Sequence, residues 1–217
     1  MGGQVKKDQV IRTLDNATYA LSGALGRCNA DQDFTGLGDA FPVVAKRLPI
    51  LLQTLESMKG HLGNTEEKEE FKKKYKAVSQ FAEICRSQAG YFQDIFTAIA
   101  VNDSVPKIDH YHNAVADADG ARIESVMRKL LDQAVNVAVV PFVSDDLIEE
   151  LERARDEVGA LGPSLKDVHR GSTTLNNYAG GSQFYHNGNG NQNHCSGGVQ
   201  VNGDGATNNF PSERKRE

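Results

Sequence analysis

The sequence predicts an all-α fold, a bundle of about five helices, followed by a flexible Asn/Gly/Gln-rich tail able to form cross-β. Three observations carry this. Apolar residues recur at helical spacing from residue 5 to about 159, and period-2 runs are absent before residue 171. Short Gly- or Pro-containing connections separate the stripes, as in an up-and-down bundle. Residues 171–210 then carry Asp204 as their only Asp, Glu, Lys or Arg. The expected division is a bundle over 1–163, a polar linker over 164–175, a motif over 176–210 and a charged end over 211–217.

The first helix, within residues 5–29, places Leu14, Leu21, Leu25 and Cys28 on one face with Ala17 and Ala24 beside them. The second carries Leu37, Phe41, Val44, Leu48, Leu51, Leu52, Leu55, Met58 and Leu62. Pro49 should bend it, because proline has no amide for the carbonyl four residues back, and Gly60 and Gly63 should stop it. Asn64 with Glu67 reads as a capping box for a third helix, whose stripe runs from Phe71 through Tyr75, Val78, Phe81, Ile84, Cys85, Phe92, Ile95 and Phe96 to Ile99. After Pro106 a fourth helix runs from Tyr111 to Val137, weakened at Gly120 and ended by Pro141. The fifth starts near Ser144-Asp145-Asp146, where carboxylates suit the positive end of the helix dipole, and closes by Gly159 to Pro163.

With 39% hydrophobic and 24% charged residues in 217, the chain has the composition of one soluble domain with an appendage. The net charge of -5 offers no footprint for nucleic acid. Cys28, Cys85 and Cys195 lack C-x-x-C spacing and read as reduced thiols of a cytoplasmic protein. The first residues, charged from Lys6 on, have no apolar core of a signal peptide, and Lys6 stands where a myristoylation pattern wants Ser or Thr. The longest apolar run, Ala134 to Val143, contains Asn136 and Pro141 and falls short of the roughly 20 residues of a spanning helix. P-loop, G-x-S-x-G and H-E-x-x-H patterns are missing, so no enzyme activity and no cofactor are expected. His110 and His112, and His186, His194 and Cys195, have no spacing that fixes a metal geometry.

The tail is periodic as well as uncharged. G-x-Q units begin at Gly181, Gly190 and Gly198 and place Gln183, Gln192 and Gln200 in register, at steps of 9 and 8 residues. Asn176-Asn177-Tyr178 precedes them and Asn208-Asn209-Phe210 follows. Such a step is too short for a helical hairpin but suits one strand plus one turn of a stacked β structure. In register, each Gln or Asn lies over its own copy and side-chain amides form ladders. A charge there would repeat every ~4.8 Å, which explains why charge is excluded. Glycine allows each short arc to reverse. Phe184, Tyr185, Val199 and Val201 can form the dry interior, with Tyr178 and Phe210 closing its ends.

Two stretches resemble one family. Gly36-Leu37-Gly38-Asp39-Ala40-Phe41-Pro42-Val43-Val44-Ala45-Lys46-Arg47-Leu48-Pro49 is similar to the L-P-x-A-F-x-x-V-A-x-R-L-P block of the SesA domain, the helical N-terminal module of many fungal NACHT-type immune receptors. Gly38 departs from it, standing where the family usually has Pro. Cys85 to Phe96 and Ile123 to Met127 resemble later SesA helices, so the likeness covers about residues 10–140. The tail resembles the sigma and PP prion-forming motifs attached to such domains, and Val199-Gln200-Val201 approaches the V-Q-V-G core of RHIM segments, with Asn202 inserted.

The resemblance implies a signalling logic. A NACHT or NB-ARC-type receptor with a similar motif templates the tail, the chain self-assembles into oligomers or fibrils, and the helical domain acts, in programmed cell death or heterokaryon incompatibility. From the related HeLo and HeLo-like domains and the mixed-lineage kinase-like bundle it further implies relocation to plasma-membrane lipid. The first helix, through Leu14, Leu21 and Leu25, is then the candidate membrane-active element. The alternative is a non-lytic adaptor whose bundle binds other helical domains while its tail recruits it.

Overall fold

In the computed structural model, residues 5–28, 32–67, 69–101 and 104–165 are described. They form six helices and no strand: α1 (Lys7–Arg27), α2 (Ala40–Asn64), α3 (Glu69–Ile99), α4 (Lys107–Asp117), α5 (Ile123–Val137) and α6 (Asp145–Gly159). The all-α expectation holds. Beyond Leu165 nothing is described, so the predicted linker, motif and charged end lie outside the described residues.

Helix α1 is the centre of the first half, packing mainly on α3 and also on α2. The Lys7 ammonium at its start donates to Thr65 O at the end of α2, so these two helices are antiparallel. Val5 to Asp8 line one cleft with Glu67 and Lys72 at one end, and Gln93 donates to Ala20 O (3.3 Å) towards the other, so α1 and α3 run in the same direction. In the second half, α4 packs on α3, α5 on α2, α3 and α6, and α6 also on α2. One apolar core results. Leu14, Leu21, Phe41, Val44, Leu48, Leu51, Leu55, Phe92, Phe96, Leu130, Leu131 and Leu151 are fully buried in it.

Three local expectations are corrected. First, the predicted fourth helix is two. Asp119 (φ 54°) and Gly120 (φ 78°) are both left-handed, and Gly120 N–H donates to Val115 O (2.8 Å), the bond from the second residue past the cap that closes a Schellman-type helix end. Second, α2 passes through Gly60 and Gly63 to Asn64. A helical glycine costs only about 1 kcal/mol relative to alanine. Burial of Leu62 and the edge-on packing of His61 against Phe71 (5.5 Å) and Phe142 (5.2 Å) offset that cost. Third, Asn64 therefore ends α2 rather than capping α3, which begins at Glu69. Ile84, placed on the apolar stripe, is 37% exposed.

A Cβ at Gly60 would meet nothing within 4 Å. Gly60→Ala should therefore stabilise the bundle by about 0.5–1 kcal/mol through loss of unfolded-chain freedom, read as a raised urea midpoint with an unchanged slope.

Candidate functional site

Two surfaces form the candidate site: the one around Arg47 on α2 and the one where the chain leaves α6. Alternation along α2 sends Ala40, Phe41, Val44 and Leu48 inward and leaves Lys46 and Arg47 at the surface. There Arg47 pairs with Glu157 of α6 and lies 3.9 Å from Glu150, while Lys46 Nζ is 3.4 Å from Glu157. The R-L-P residues thus have distinct tasks: Leu48 anchors the core and Arg47 clamps α6. Pro42 and Pro49 line a mostly apolar groove of about 470 Å³ with Leu25, Cys28 and Phe34.

Partial burial pushes the Glu157 carboxyl up, but the hydrogen bond and charge of Arg47, aided by Lys46, outweigh it and the net shift is downward. Asp33, in the segment between α1 and α2, is held well below the usual carboxylate range by its hydrogen bond from Lys107 (2.8 Å), and next by Thr35. For both groups the folded value lies below the unfolded one. Their contribution is complete above the unfolded carboxylate range near pH ~4 and is lost as pH falls through the folded values. The melting temperature should therefore drop on acidification below about pH 4–5, and Asp33→Asn with Arg47→Gln should flatten that dependence. The effect is small because both pairs face solvent.

The second surface lies where the chain leaves α6. Tyr111 of α4 is buried, and its hydroxyl accepts the Ile123 N–H (3.0 Å), one of the amides that a helix start leaves without an internal partner. The same hydroxyl shares a hydrogen bond with Ser164 Oγ (2.7 Å). Glu124, 7% exposed, accepts the Ser164 N–H on Oε1 (3.2 Å), and its Oε2 has no hydrogen-bond partner among the described residues. Tyr91 donates to Ala121 O (2.9 Å). Burial pushes the Tyr91 and Tyr111 phenols up, so both remain protonated. Sequence reading missed this cluster. Its members are scattered polar residues, and no motif relates Ser164 to a glutamate 40 residues earlier.

The residues singled out from sequence are placed as follows. Leu14 and Leu21 are fully buried under α2 and α3, while Leu25 is half-buried at the groove rim. Leu25 thus leaves part of its side chain open, whereas the other two are core. Asn176, Asn177, Tyr178, Gly181, Gln183, Phe184, Gly190, Gln192, Gly198, Val199, Gln200, Val201, Asn208, Asn209 and Phe210 all lie outside the described residues. His110 lines a cleft of about 440 Å³ between α3 and α4 with Tyr91, Asp94 and Asp117, and His112 faces solvent. Among the described residues no group of His, Cys, Asp and Glu could hold a metal, and no helix is long and apolar enough to cross a membrane.

Burial pushes the Cys28 thiol up to about 11 and raises Cys85 further, so neither is a thiolate near neutral pH. Iodoacetamide should label both at least ~100-fold more slowly in the folded chain than in guanidinium. Equal rates would contradict their place in the core.

A family model described as the N-terminal domain on NACHT NTPases and P-loop NTPases matches residues 13–137. That is more than half of the chain. It belongs to the SesA family. The matched stretch runs from Thr13 within α1 to the end of α5, so it covers Arg47, Tyr111 and Glu124, while α6 and Ser164 lie beyond it. No curated protein and no solved structure matches the chain. The SesA assignment links this bundle to NACHT-type signalling proteins.

Proposed function

We propose that this SesA protein is an effector of amyloid signalling in programmed cell death, of the kind that underlies innate immunity and heterokaryon incompatibility. The observation that carries the reading is a stretch over 171–210 with Asp204 as its only charge and with registered G-x-Q units, attached to a SesA bundle. A NACHT-type receptor with a similar motif would seed residues 176–210, and clustering of the tails would concentrate the bundles. Specificity then resides in backbone pairing and amide ladders over Gly181 to Gln200, and the output resides in the helices. The chain acts by assembly rather than by catalysis, moving from the cytoplasm to the plasma membrane.

The adaptor reading is the alternative, and one observation favours it. The apolar face of α1 is already spent in the core, with Leu14 and Leu21 at 0% exposure, so membrane action requires the bundle to open. Expression with and without a fibril-forming tail separates the two. Cell death with membrane relocation supports the effector, and silent puncta support the adaptor.

The templating step has its own test. The full chain, seeded with preformed fibrils of segment 171–217, should bind thioflavin T and form cross-β fibrils. Replacing Gln183, Gln192 and Gln200 together by Lys should abolish this, since three charges would then repeat along the fibril every ~4.8 Å. Persistent absence of fibrils from the unchanged chain would sink the templating mechanism.

A further inference from the structure

Ser164 and Leu165 end the described chain, and both are held. Ser164 gives its N–H to Glu124 Oε1 (3.2 Å) and shares its hydroxyl with Tyr111 (2.7 Å), and Leu165 is buried in the core at 6% exposure. The two Ser164 bonds reach the joint between α4 and α5, where Asp119 and Gly120 turn the chain through left-handed backbone. Tyr111 sits on both sides of that joint, since it belongs to α4 and its hydroxyl takes the Ile123 N–H at the start of α5. A single side chain therefore connects α4, α5 and the chain leaving α6.

Opposed terms act here. Burial of Leu165 and the two Ser164 bonds favour the closed arrangement. Against them, Glu124 Oε2 is buried with no hydrogen-bond partner among the described residues, and a buried acceptor without a protein donor gains from contact with water. Opening would solvate that oxygen. The Glu124 carboxylate at the second position of α5 keeps its favourable place at the positive helix end in either arrangement. A contact made of one apolar side chain and two hydrogen bonds, at a helix joint and next to residues 166–217, has the composition of an element that opens locally while a larger core stays closed.

We propose that Ser164 and Leu165 form a release clasp: closed, they lock the α4–α5 joint, and freeing them opens that joint while the α1–α3 core stays packed. The clasp follows from local contacts alone and stands or falls separately from how residues 176–210 assemble.

Hydrogen–deuterium exchange on the full chain tests it, comparing the unchanged protein with Ser164→Gly/Leu165→Ser. Amides of segment 107–126 should exchange about tenfold faster, while those around Leu14 in α1 and Phe81 in α3 keep their rates, as local rather than global opening requires. Should the double variant fail to fold, Ser164→Ala, which removes only the hydroxyl bond to Tyr111, should accelerate the same segment by about threefold. Unchanged exchange over 107–126 in the folded variant, or equal acceleration throughout the bundle, would overturn the clasp.

Discussion

Phe41→Ala is expected to destabilise the bundle by about 3–5 kcal/mol, the range for removing a fully buried aromatic side chain and leaving a cavity. Phe41 has 0% exposure, meets the Tyr111 ring edge-on at 4.7 Å and lies 6.1 Å from Phe34. It thus joins α2 to α4. For a domain of this size each kcal/mol lowers the melting temperature by roughly 2–4 °C, so a fall of roughly 6–20 °C should appear in a far-UV circular dichroism melt. Phe34→Ala is the comparison. Phe34 is only half-buried, and its loss should cost about 1–1.5 kcal/mol. Equal shifts for the two variants would mean that Phe41 does not anchor the SesA block.

Leu21→Lys should prevent folding outright. Leu21 is fully buried where α1 packs between α2 and α3, so the change removes a core leucine and places an ammonium where it has no partner. The lost burial alone costs about 2–5 kcal/mol, and an unpaired buried charge adds several more. That sum reaches the whole stability of a typical domain, about 5–15 kcal/mol. Limited proteolysis should show rapid cleavage across the bundle.

This bears directly on the membrane question, because leakage lost in an unfolded variant says nothing about insertion. Leu25→Glu and Tyr19→Lys are the informative changes. Leu25 is half-buried and Tyr19 is 84% exposed, so the fold should survive both, the second within about 0.5 kcal/mol. If the Leu14–Leu21–Leu25 face of α1 enters the membrane, Leu25→Glu should reduce leakage of anionic vesicles by the assembled chain, whereas Tyr19→Lys, on the opposite face, should leave leakage and melting temperature in place. Unchanged leakage from Leu25→Glu would remove α1 as the membrane element and favour the adaptor.

The helical stripes were legible because each helix buries one face, and a buried face imprints a period near 3.6 on the sequence. Leu14 and Leu21 and the Phe41–Leu62 stripe follow from that rule, while the α6 start at Asp145 follows from the carboxylates at its positive end. Phe142 and Val143 escaped it. They are 1% exposed in the connection between α5 and α6, where no period marks a core residue. Gly60 and Gly63 misled in the other direction, since propensity signals a stop that packing overrides. Gly120 signalled a weak point correctly, but only the left-handed backbone at Asp119 beside it shows that the helix is divided.

The Tyr111–Glu124–Ser164 cluster was illegible for a different reason. Polar residues carry meaning in sequence when a fixed spacing gives them a shared geometry, as in a capping box or a metal motif. Ser164 is 53 residues from Tyr111 and 40 from Glu124, and the fold alone brings them together.

Composition and periodicity determined by themselves that this chain is a helical bundle with an uncharged, repetitive tail, because the hydrophobic effect and the exclusion of stacked charge act on residue type and order. Tertiary structure decided what those patterns cannot contain: that α1 lies between α2 and α3 with its apolar face already occupied, that Arg47 reaches α6, and that Ser164 fastens the end of the bundle. Those facts depend on which faces meet in space. Periodicity marks the face that must be buried, and only the folded chain chooses what buries it.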